Sequence, residues 1–169
     1  MNKEIELKFF VKSFEGILPR LKKLGGRLKW KGIEKNWFYD TPKEDLRKKG
    51  DNLRLRKWRG HSETMTFKNK TVHKKNFRRS NEFQLETNVD MMRKIFKGLG
   101  FNEFLYYQKY REHWVLPGRV SIELDKLKGK NIVEIEASPK KIKELALKLG
   151  LNWKTSTTKG YLGLLREWK

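Results

Sequence analysis

The stretch Glu4-Ile5-Glu6-Leu7-Lys8-Phe9 decides how the rest of the chain is organised, and Val133-Glu134-Ile135-Glu136-Ala137 repeats it near the other end. Side chains along a β-strand point alternately to its two faces. The ionisable residues of each stretch therefore share one face, and the apolar residues share the other. A single stretch of this kind is typical of a half-buried strand whose charges lie in water.

The same alternation recurs along the chain, and the ionisable faces carry both signs of charge. Segments of this kind with acidic residues are 82–86, 122–125 and 132–136, and those with basic residues are 53–56, 65–70 and 109–114. Because the pattern recurs so often, simple solvation of each strand explains it poorly. It favours a sheet with one apolar face and one ionisable face.

Size and composition favour one folded domain that spans residues 1–169. Apolar residues make up 37% and aromatic residues 12% of the chain, which is enough for a real core. The absence of cysteine excludes disulfides and thiolate metal sites. No apolar run approaches the roughly 20 residues of a membrane span, and the N-terminus does not resemble a signal peptide. We therefore expect a cytoplasmic protein with no membrane partner.

The formal net charge of +21 indicates an anionic partner. Nucleic acid is the usual partner of such a chain, and a phosphate-rich small molecule is the second candidate.

Periodicity and turn residues predict the order of the elements. We expect a first strand over 2–12, a helix over 14–24, a strand over 27–40, a hairpin of 53–59 with 64–70, and a basic loop over 71–80. A strand over 81–87 and a helix over 90–99, with Met92, Ile95, Phe96 and Leu99 inward, come next. Strands over 103–116, 119–126 and 132–137, a helix from Ser138-Pro139 and a short helix over 157–166 complete the chain.

About eight strands with flanking helices predict an antiparallel α+β architecture. The apolar stripe of each helix needs an apolar surface, and one face of the sheet provides it. The ionisable face is then either open to water or rolled onto itself, since a closed β-barrel of about eight strands leaves room for side chains or one small ligand. A barrel interior with both signs of charge would suit a metal–polyphosphate complex, because Arg and Lys bind phosphate oxygens and carboxylates bind Mg²⁺ or Mn²⁺.

Motifs along nearly the whole chain are similar to those of the CYTH superfamily, the triphosphate tunnel metalloenzymes. In chain order they are Glu4-x-Glu6-x-Lys8, Tyr39-Asp40-Thr41-Pro42, Leu53-Arg54-Leu55-Arg56, Thr66-Phe67-Lys68, Glu82-x-x-x-Glu86, Lys109-x-Arg111, Glu123-Leu124-Asp125, Glu134-x-Glu136 and Lys159-Gly160-Tyr161. The segment Leu99-Gly100-Phe101 and the following Lys-x-Arg resemble the class IV adenylyl cyclase branch most. Two departures from that branch are the short turn at 128–131 and Gly160 in place of the more common serine.

The resemblance implies an eight-stranded closed antiparallel β-barrel, or tunnel, that binds a triphosphate inside it and requires Mg²⁺ or Mn²⁺. The residues it implies for triphosphate binding are Lys8, Arg54, Arg56, Lys68, Lys70, Lys109, Arg111 and Lys159, of which Lys8, Arg56 and Arg111 are the expected catalytic residues. The residues it implies at the metal are Glu4, Glu6, Glu123, Asp125, Glu134 and Glu136. Because family relatives often dimerise, a homodimer stays open.

Three classes of function remain open at this point. The first is a metal-dependent enzyme, either a class IV-type adenylyl cyclase that converts ATP to cyclic AMP and pyrophosphate, or a triphosphatase that acts on thiamine triphosphate, inorganic triphosphate or a nucleoside triphosphate. The second is a basic nucleic-acid binder, against which the acidic strands argue because they would repel phosphate without a metal. The third is a polyphosphate-binding module without turnover.

Overall fold

The computed structural model describes residues 2–74, 77–118 and 120–168, without the side chains of residues 2, 3 and 70–74. The strands in these ranges are β1 Asn2–Val11, β2 Arg27–Asp40, β3 Asn52–Trp58, β4 Glu63–Lys74, β5 Phe77–Glu86, β6 Asn102–Leu116, β7 Val120–Leu127, β8 Lys130–Glu136 and β9 Ser156–Thr157. The helices are α1 Leu18–Lys23, α2 Asp45–Lys48, α3 Val89–Gly98, α4 Pro139–Leu149 and α5 Tyr161–Glu167, with a 3₁₀ turn at Trp153–Thr155.

The strands form one sheet that closes on itself. The hydrogen-bonded order is β5-β4-β3-β2-β6-β7-β8-β1-β9, and β5 pairs in addition with β1. Strands β1 to β8 therefore make a closed antiparallel β-barrel, with β9 as an extra strand outside it. The predicted α+β class and the predicted eight-stranded barrel are confirmed.

Closeness of Cα atoms divides the chain into two compact units. The first unit consists of Met1–Lys3, Gly32–Thr71 and Ser80–Tyr110, and the second of Glu4–Lys31, Val72–Arg79 and Arg111–Lys169. Each unit has its own apolar cluster.

The apolar cluster of the first unit lies between α3 and the strands β2 and β3. Val89 and Phe96 of α3 pack with Leu55 of β3 and with Trp37 and Tyr39 of β2. Leu55 alternates with Arg54 and Arg56 along β3, so burying the leucine on this side directs both arginines to the opposite face.

In the second unit, α1 and α4 cover the apolar faces of β1, β7 and β8. The buried members of α4 are Ile142, Leu145, Ala146 and Leu149. They share a cluster with Leu7 and Phe9 of β1 and Ile135 of β8. Burial of these alternate strand residues places Glu6, Lys8 and Glu134 on the other face.

A two-residue turn sets the register of β7 against β8. Lys128 and Gly129 both have positive φ, at 47° and 72°, between the paired residues Leu127 and Lys130. Two consecutive residues in this region are typical of a type I′ hairpin turn, whose twist matches that of the strands. The resulting register sets Glu123 directly opposite Glu134.

Several predicted elements differ from the structure. The predicted basic loop over 71–80 is wrong, because β4 runs to Lys74 and β5 begins at Phe77. Helix α1 is shorter than predicted and has Pro19 in its first turn, where a missing N–H is tolerated. The predicted inward position of Ile95 and Leu99 is also wrong, since their side chains are 44% and 68% exposed.

No helix in the described part of the chain combines the length and the apolar character needed to cross a bilayer.

Candidate functional site

The first unit gathers four basic side chains that the sequence analysis assigned to phosphate. Arg54 and Arg56 lie on one face of β3, and β4 sets Thr66 and Thr64 opposite them. Lys68 follows on β4, and Lys109 is a buried residue of β6. These residues meet because a strand period of two keeps Arg54 and Arg56, and likewise Thr64, Thr66 and Lys68, on one face.

Glu34 of β2 is the acidic partner within this group. Its carboxylate is fully buried and accepts hydrogen bonds from Asn36 Nδ2 at 2.9 Å and from Trp58 Nε1 at 2.7 Å. Arg56 Nε lies 3.6 Å and Lys109 Nζ 3.4 Å from its oxygens. A buried carboxylate needs such partners to stay ionised, and in return it holds Arg56 and Lys109 in place.

Arg54 has an incompletely satisfied guanidinium. Its Nε is buried and has no hydrogen-bond partner among the described residues. Burial lowers the pKa of Arg54 from its ordinary value, and the nearby positive charge of Arg56 lowers it further, against the opposing effect of Glu82. A buried cation held beside another cation is stabilised by an anion.

Basic side chains predominate among the residues named in this group. Lys68 Nζ pairs with Glu82 at 2.6 Å, and Glu34 serves both Arg56 and Lys109. Among the six residues named here, the bases Arg54, Arg56, Lys68 and Lys109 accompany the carboxylates of Glu34 and Glu82. An anion is a suitable ligand for a group of this composition.

The second unit gathers the acidic residues. Strands β1 and β8 pair so that Glu6 faces Glu136 and Lys8 faces Glu134. Lys8 Nζ donates to Glu6 and, at 2.9 Å, to Glu134. Burial by itself lowers the pKa of Lys8, but the two carboxylates raise it by more, so it lies above its ordinary value.

Arg111 of β6 binds Asp125 and shares Glu134 with Lys8. Its Nε and Nη2 each lie 2.7 Å from an oxygen of Asp125, and Nη2 also donates to Glu134 at 2.9 Å. The hydroxyl of Tyr161, at the start of α5, donates a hydrogen bond to Asp125. Burial and the charge of Asp125 raise the pKa of Tyr161 well above its usual range, so the phenol remains a donor.

Arg78 of β5 also lies in this group, although the sequence analysis placed it in a solvated loop. Its side chain is buried, and Nη1 donates to Glu6 at 3.0 Å. Burial alone would lower the pKa of Arg78, but the charge of Glu6 and the hydrogen bond to it leave the pKa raised.

The remaining predicted residues fall in four situations. Glu123 pairs with His113 Nδ1 at 2.7 Å and lies 3.7 Å from Arg111 Nε, within the acidic group. Glu4 and Glu136 are partly exposed on β1 and β8, and Ser121 donates to Glu136 at 3.3 Å. Lys159 is not brought into the buried group: it is exposed and pairs with Glu167 of α5. The side chain of Lys70 lies outside the described residues.

Comparison with known protein families agrees with this arrangement of alternating acids and bases on a closed barrel. The family model described as CYTH domain matches residues 2–161. The chain belongs to the CYTH domain family. Members of this family are triphosphate tunnel enzymes and depend on a metal ion.

Solved structures of similar fold cover nearly the whole CYTH chain. The PH1012 protein of Pyrococcus horikoshii is 26% identical, with a TM-score of 0.80 over 95% of this chain and 98% of that one. A provisionally assigned adenylate cyclase of Vibrio parahaemolyticus is 22% identical, with a TM-score of 0.81 over 96% and 97%. HpAC1 of Hippeastrum, a provisionally assigned adenylyl cyclase with a dominant triphosphatase activity, is 17% identical, with a TM-score of 0.74 over 98% and 96%. None of the curated proteins compared with the chain matches it.

The acidic group of this CYTH chain suits a hard divalent cation. Like charges directly opposite on paired strands destabilise a sheet, and Glu6 faces Glu136 just as Glu123 faces Glu134. Within the described residues no three acidic or histidine side chains are grouped as a ready metal cage. Mg²⁺ typically uses only one or two carboxylates and completes its shell with water and substrate phosphates. The donor set therefore fits an ion that is bound together with its substrate.

Two residues of this site were missed by sequence reasoning for different reasons. Glu34 lies in a predicted strand, and its alternation with Asn36 could have placed it on the polar face. Arg78 alternates with Ser80 and Glu82 along β5, but the neighbouring residues Lys74, Lys75 and Arg79 made the segment look like a charged loop.

Proposed function

We propose that this CYTH chain is a single-domain, metal-dependent enzyme that acts on a triphosphate inside its β-barrel. The observation that supports it is the grouping of charge among the described residues named above: mainly bases around Glu34 and Glu82 in the first unit, and mainly acids around Lys8, Arg78 and Arg111 in the second. The bases are Arg54, Arg56, Lys68 and Lys109 in the first unit and Lys8, Arg78 and Arg111 in the second. The acids of the second unit are Glu4, Glu6, Glu123, Asp125, Glu134 and Glu136.

The basic residues of the first unit supply the grip on phosphate. Arg54 and Arg56 can each present parallel N–H groups to phosphate oxygens, which lysine cannot do. Glu34 keeps Arg56 and Lys109 from moving when the anion arrives, so little reorganisation is needed.

Glu4, Glu6, Glu134 and Glu136 would hold Mg²⁺ or Mn²⁺, with Glu123 and Asp125 beside them. A divalent ion bound there would neutralise charge on the phosphate oxygens as the phosphorus is attacked. Lys8 and Arg111 already join these carboxylates, through Glu6 and Glu134 in one case and Asp125 and Glu134 in the other. They hold the acids in position and neutralise them when no divalent ion is bound.

The reaction we favour is that of a class IV-type adenylyl cyclase. The ribose 3′-hydroxyl of ATP attacks the α-phosphorus, the bond to the bridging oxygen breaks, and pyrophosphate leaves as cyclic AMP forms. The second candidate is a triphosphatase, in which water attacks the terminal phosphorus, the bond to the bridging oxygen breaks, and the diphosphate leaves as orthophosphate forms. The similarity to HpAC1, whose triphosphatase activity dominates, supports keeping this second reaction.

Product analysis tests both reactions in one experiment. The protein is incubated with ATP or with tripolyphosphate, in the presence of Mg²⁺ or Mn²⁺, and cyclic AMP, pyrophosphate and orthophosphate are measured separately. Cyclic AMP with equimolar pyrophosphate supports the cyclase, and orthophosphate from either substrate supports the triphosphatase. If no product appears with either substrate and metal, the proposed enzyme is wrong.

A further inference from the structure

An open cleft of about 470 Å³ lies in the first unit, where the turn between β3 and β4 meets the segment between β5 and α3. Its volume is in the range of sites that hold small organic ligands. The residues that line it are His61, Ser62, Glu63, Glu86, Thr87 and Asn88. The phosphate-binding bases of the previous sections are not among them.

One side of the cleft is formed by the imidazole ring of His61, which packs on a second aromatic ring. The imidazole of His61 stacks on the indole of Trp58, with ring centroids 5.4 Å apart and planes within 6° of parallel. Trp58 in turn donates its Nε1–H to the buried carboxylate of Glu34 at 2.7 Å. His61 is an exposed residue that lines the cleft, so its ring offers an aromatic surface there.

The same stack leads to the phosphate-binding group. The guanidinium carbon of Arg56 lies 5.4 Å from the ring centroid of Trp58. Arg56 and Trp58 also share the carboxylate of Glu34. One continuous set of contacts therefore joins the cleft, through His61 and Trp58, to Arg56, which we assign to triphosphate binding.

The described residues that line the cleft offer hydrogen-bond acceptors and include no lysine or arginine. Two of its six lining residues, Glu63 and Glu86, are carboxylates. Glu63 is held rigidly, since it accepts from the backbone N–H of Val89 at 2.7 Å and pairs with Lys57 at 2.7 Å. Carboxylates in such a lining accept hydrogen bonds from hydroxyl and amino groups, which are the donors of a ribose and of an amino-substituted nucleobase.

We propose that this cleft binds the nucleoside end of the substrate, with the base stacked on His61 and the phosphates directed toward Arg56. The proposal rests on the proposed function and narrows it, because it makes a nucleoside triphosphate the preferred substrate over inorganic triphosphate. Stacking of a base on an aromatic side chain is tolerant of base identity, so the polar lining supplies the discrimination.

Binding measurements with and without the base test this assignment. Affinities for ATP, tripolyphosphate and adenosine are measured by calorimetry in the presence of Mg²⁺, for the unaltered protein, His61→Ala and His61→Phe. We expect His61→Ala to weaken ATP and adenosine by about tenfold, the effect of losing one stacking contact, and to leave tripolyphosphate unchanged. His61→Phe retains an aromatic surface and should stay near the unaltered affinities.

Tyr106→Ala is the matched control, because it removes another exposed aromatic ring of the same unit, one that packs on Trp37. It should change none of the three affinities. Equal loss of ATP and tripolyphosphate in His61→Ala, or no loss of either nucleoside ligand, would overturn the cleft as the base site. The measurement with adenosine separates the two proposals. Adenosine binding that depends on His61 supports the cleft as the nucleobase site, even if tripolyphosphate does not bind. A failure of tripolyphosphate binding counts against the proposed function alone.

Discussion

Arg54 is a partly buried cation whose guanidinium is incompletely satisfied. Its Nε has no hydrogen-bond partner in the part of the chain that the structure describes, and Arg56 adds a second positive charge beside it. Such an arrangement costs folding free energy and is retained where a ligand supplies the missing charge.

Replacing Arg54 should therefore separate activity from stability. We expect Arg54→Met to reduce turnover of the triphosphate substrate roughly 10²-fold or more, since a charge-stabilising donor is lost. The melting temperature should stay unchanged or rise, because the repulsion between Arg54 and Arg56 is removed and an apolar side chain of similar length fills the space. Steady-state kinetics and thermal unfolding measure the two effects.

Arg59→Met is the control for that substitution, since Arg59 is an exposed arginine of the same unit. It should leave turnover as it is. Retention of full activity in Arg54→Met would remove Arg54 from the phosphate-binding group.

If Glu6 binds a metal ion as proposed, Arg78 would compete with that ion for its carboxylate. It donates to Glu6 at 3.0 Å from the buried side of β5, whereas its neighbour Arg79 is exposed. We expect Arg78→Gln to tighten Mn²⁺ binding at least about fivefold, the effect of about 1 kcal/mol between unit charges some 4 Å apart at the dielectric of water. Titration of free Mn²⁺ by electron paramagnetic resonance measures the change.

Arg79→Gln removes the same charge from the surface and should alter Mn²⁺ affinity much less, because solvent screens it. Equal effects of the two substitutions would show that Glu6 is not near the ion.

The face on which a residue lies was predictable where a motif and a strand phase agreed. Arg54, Arg56, Lys8 and Arg111 lie on the ionisable faces that the alternation assigned to them. Arg78 was not predictable, because only the pairing of β5 reveals that this base faces a buried acid. Lys159 shows the opposite case, since a motif position alone did not foretell that its side chain is exposed and pairs with Glu167.

At the scale of elements, Asp40 organises the end of β2 and the start of α2. Its two carboxylate oxygens accept backbone N–H groups from Thr41 at 2.8 Å, Leu46 at 2.9 Å and Arg47 at 3.0 Å. Burial alone would raise the pKa of Asp40, but these hydrogen bonds hold the pKa below its ordinary value. The carboxylate thus satisfies N–H groups that the short helix leaves unpaired.

The stability that Asp40 contributes should depend on pH with a defined sign. Because its pKa is lower in the folded state, the contribution is present above the unfolded pKa of about 3.9 and is lost as pH falls through the folded value. We expect Asp40→Asn to reduce the free energy of unfolding at pH 7 by about 1–2 kcal/mol and to flatten its decline below about pH 4. Urea unfolding across that pH range measures both.

Asp51→Asn, a change in the segment that follows α2, is the control. It should leave the decline of the free energy of unfolding below about pH 4 as steep as in the unaltered protein. An Asp40→Asn protein whose stability falls below pH 4 as steeply as that of the unaltered protein would contradict this role.

Strands and helices were predictable where the alternation or periodicity of apolar residues coincided with capping residues at the helix ends, as in β8 and α4. The Ser138 side chain accepts from the Lys141 backbone N–H at the start of that helix, and Gly150 ends it in the left-handed conformation. The extension of β4 and β5 through the basic segment was not predictable, since charged residues lower strand propensity and only the partner strand compensates. The exposure of Ile95 and Leu99 on α3 likewise depends on how much of the helix the sheet covers.

At the scale of the whole molecule, the charge of +21 admits two kinds of anionic partner. A nucleic-acid binder would hold its ligand through exposed bases, and its affinity would fall steeply with salt and ignore chelators. A triphosphate enzyme holds its ligand through buried bases and a metal, so chelation should matter more than ionic strength. The net charge alone could not decide between them, whereas the strand phases of the acids and bases favour the enzyme.

The most direct test is calorimetric binding of tripolyphosphate with Mn²⁺ at two ionic strengths, repeated after addition of a chelator in excess of the ion. The account predicts binding that the chelator abolishes and that moderate salt weakens only slightly. Binding that survives the chelator but disappears with added salt would contradict it.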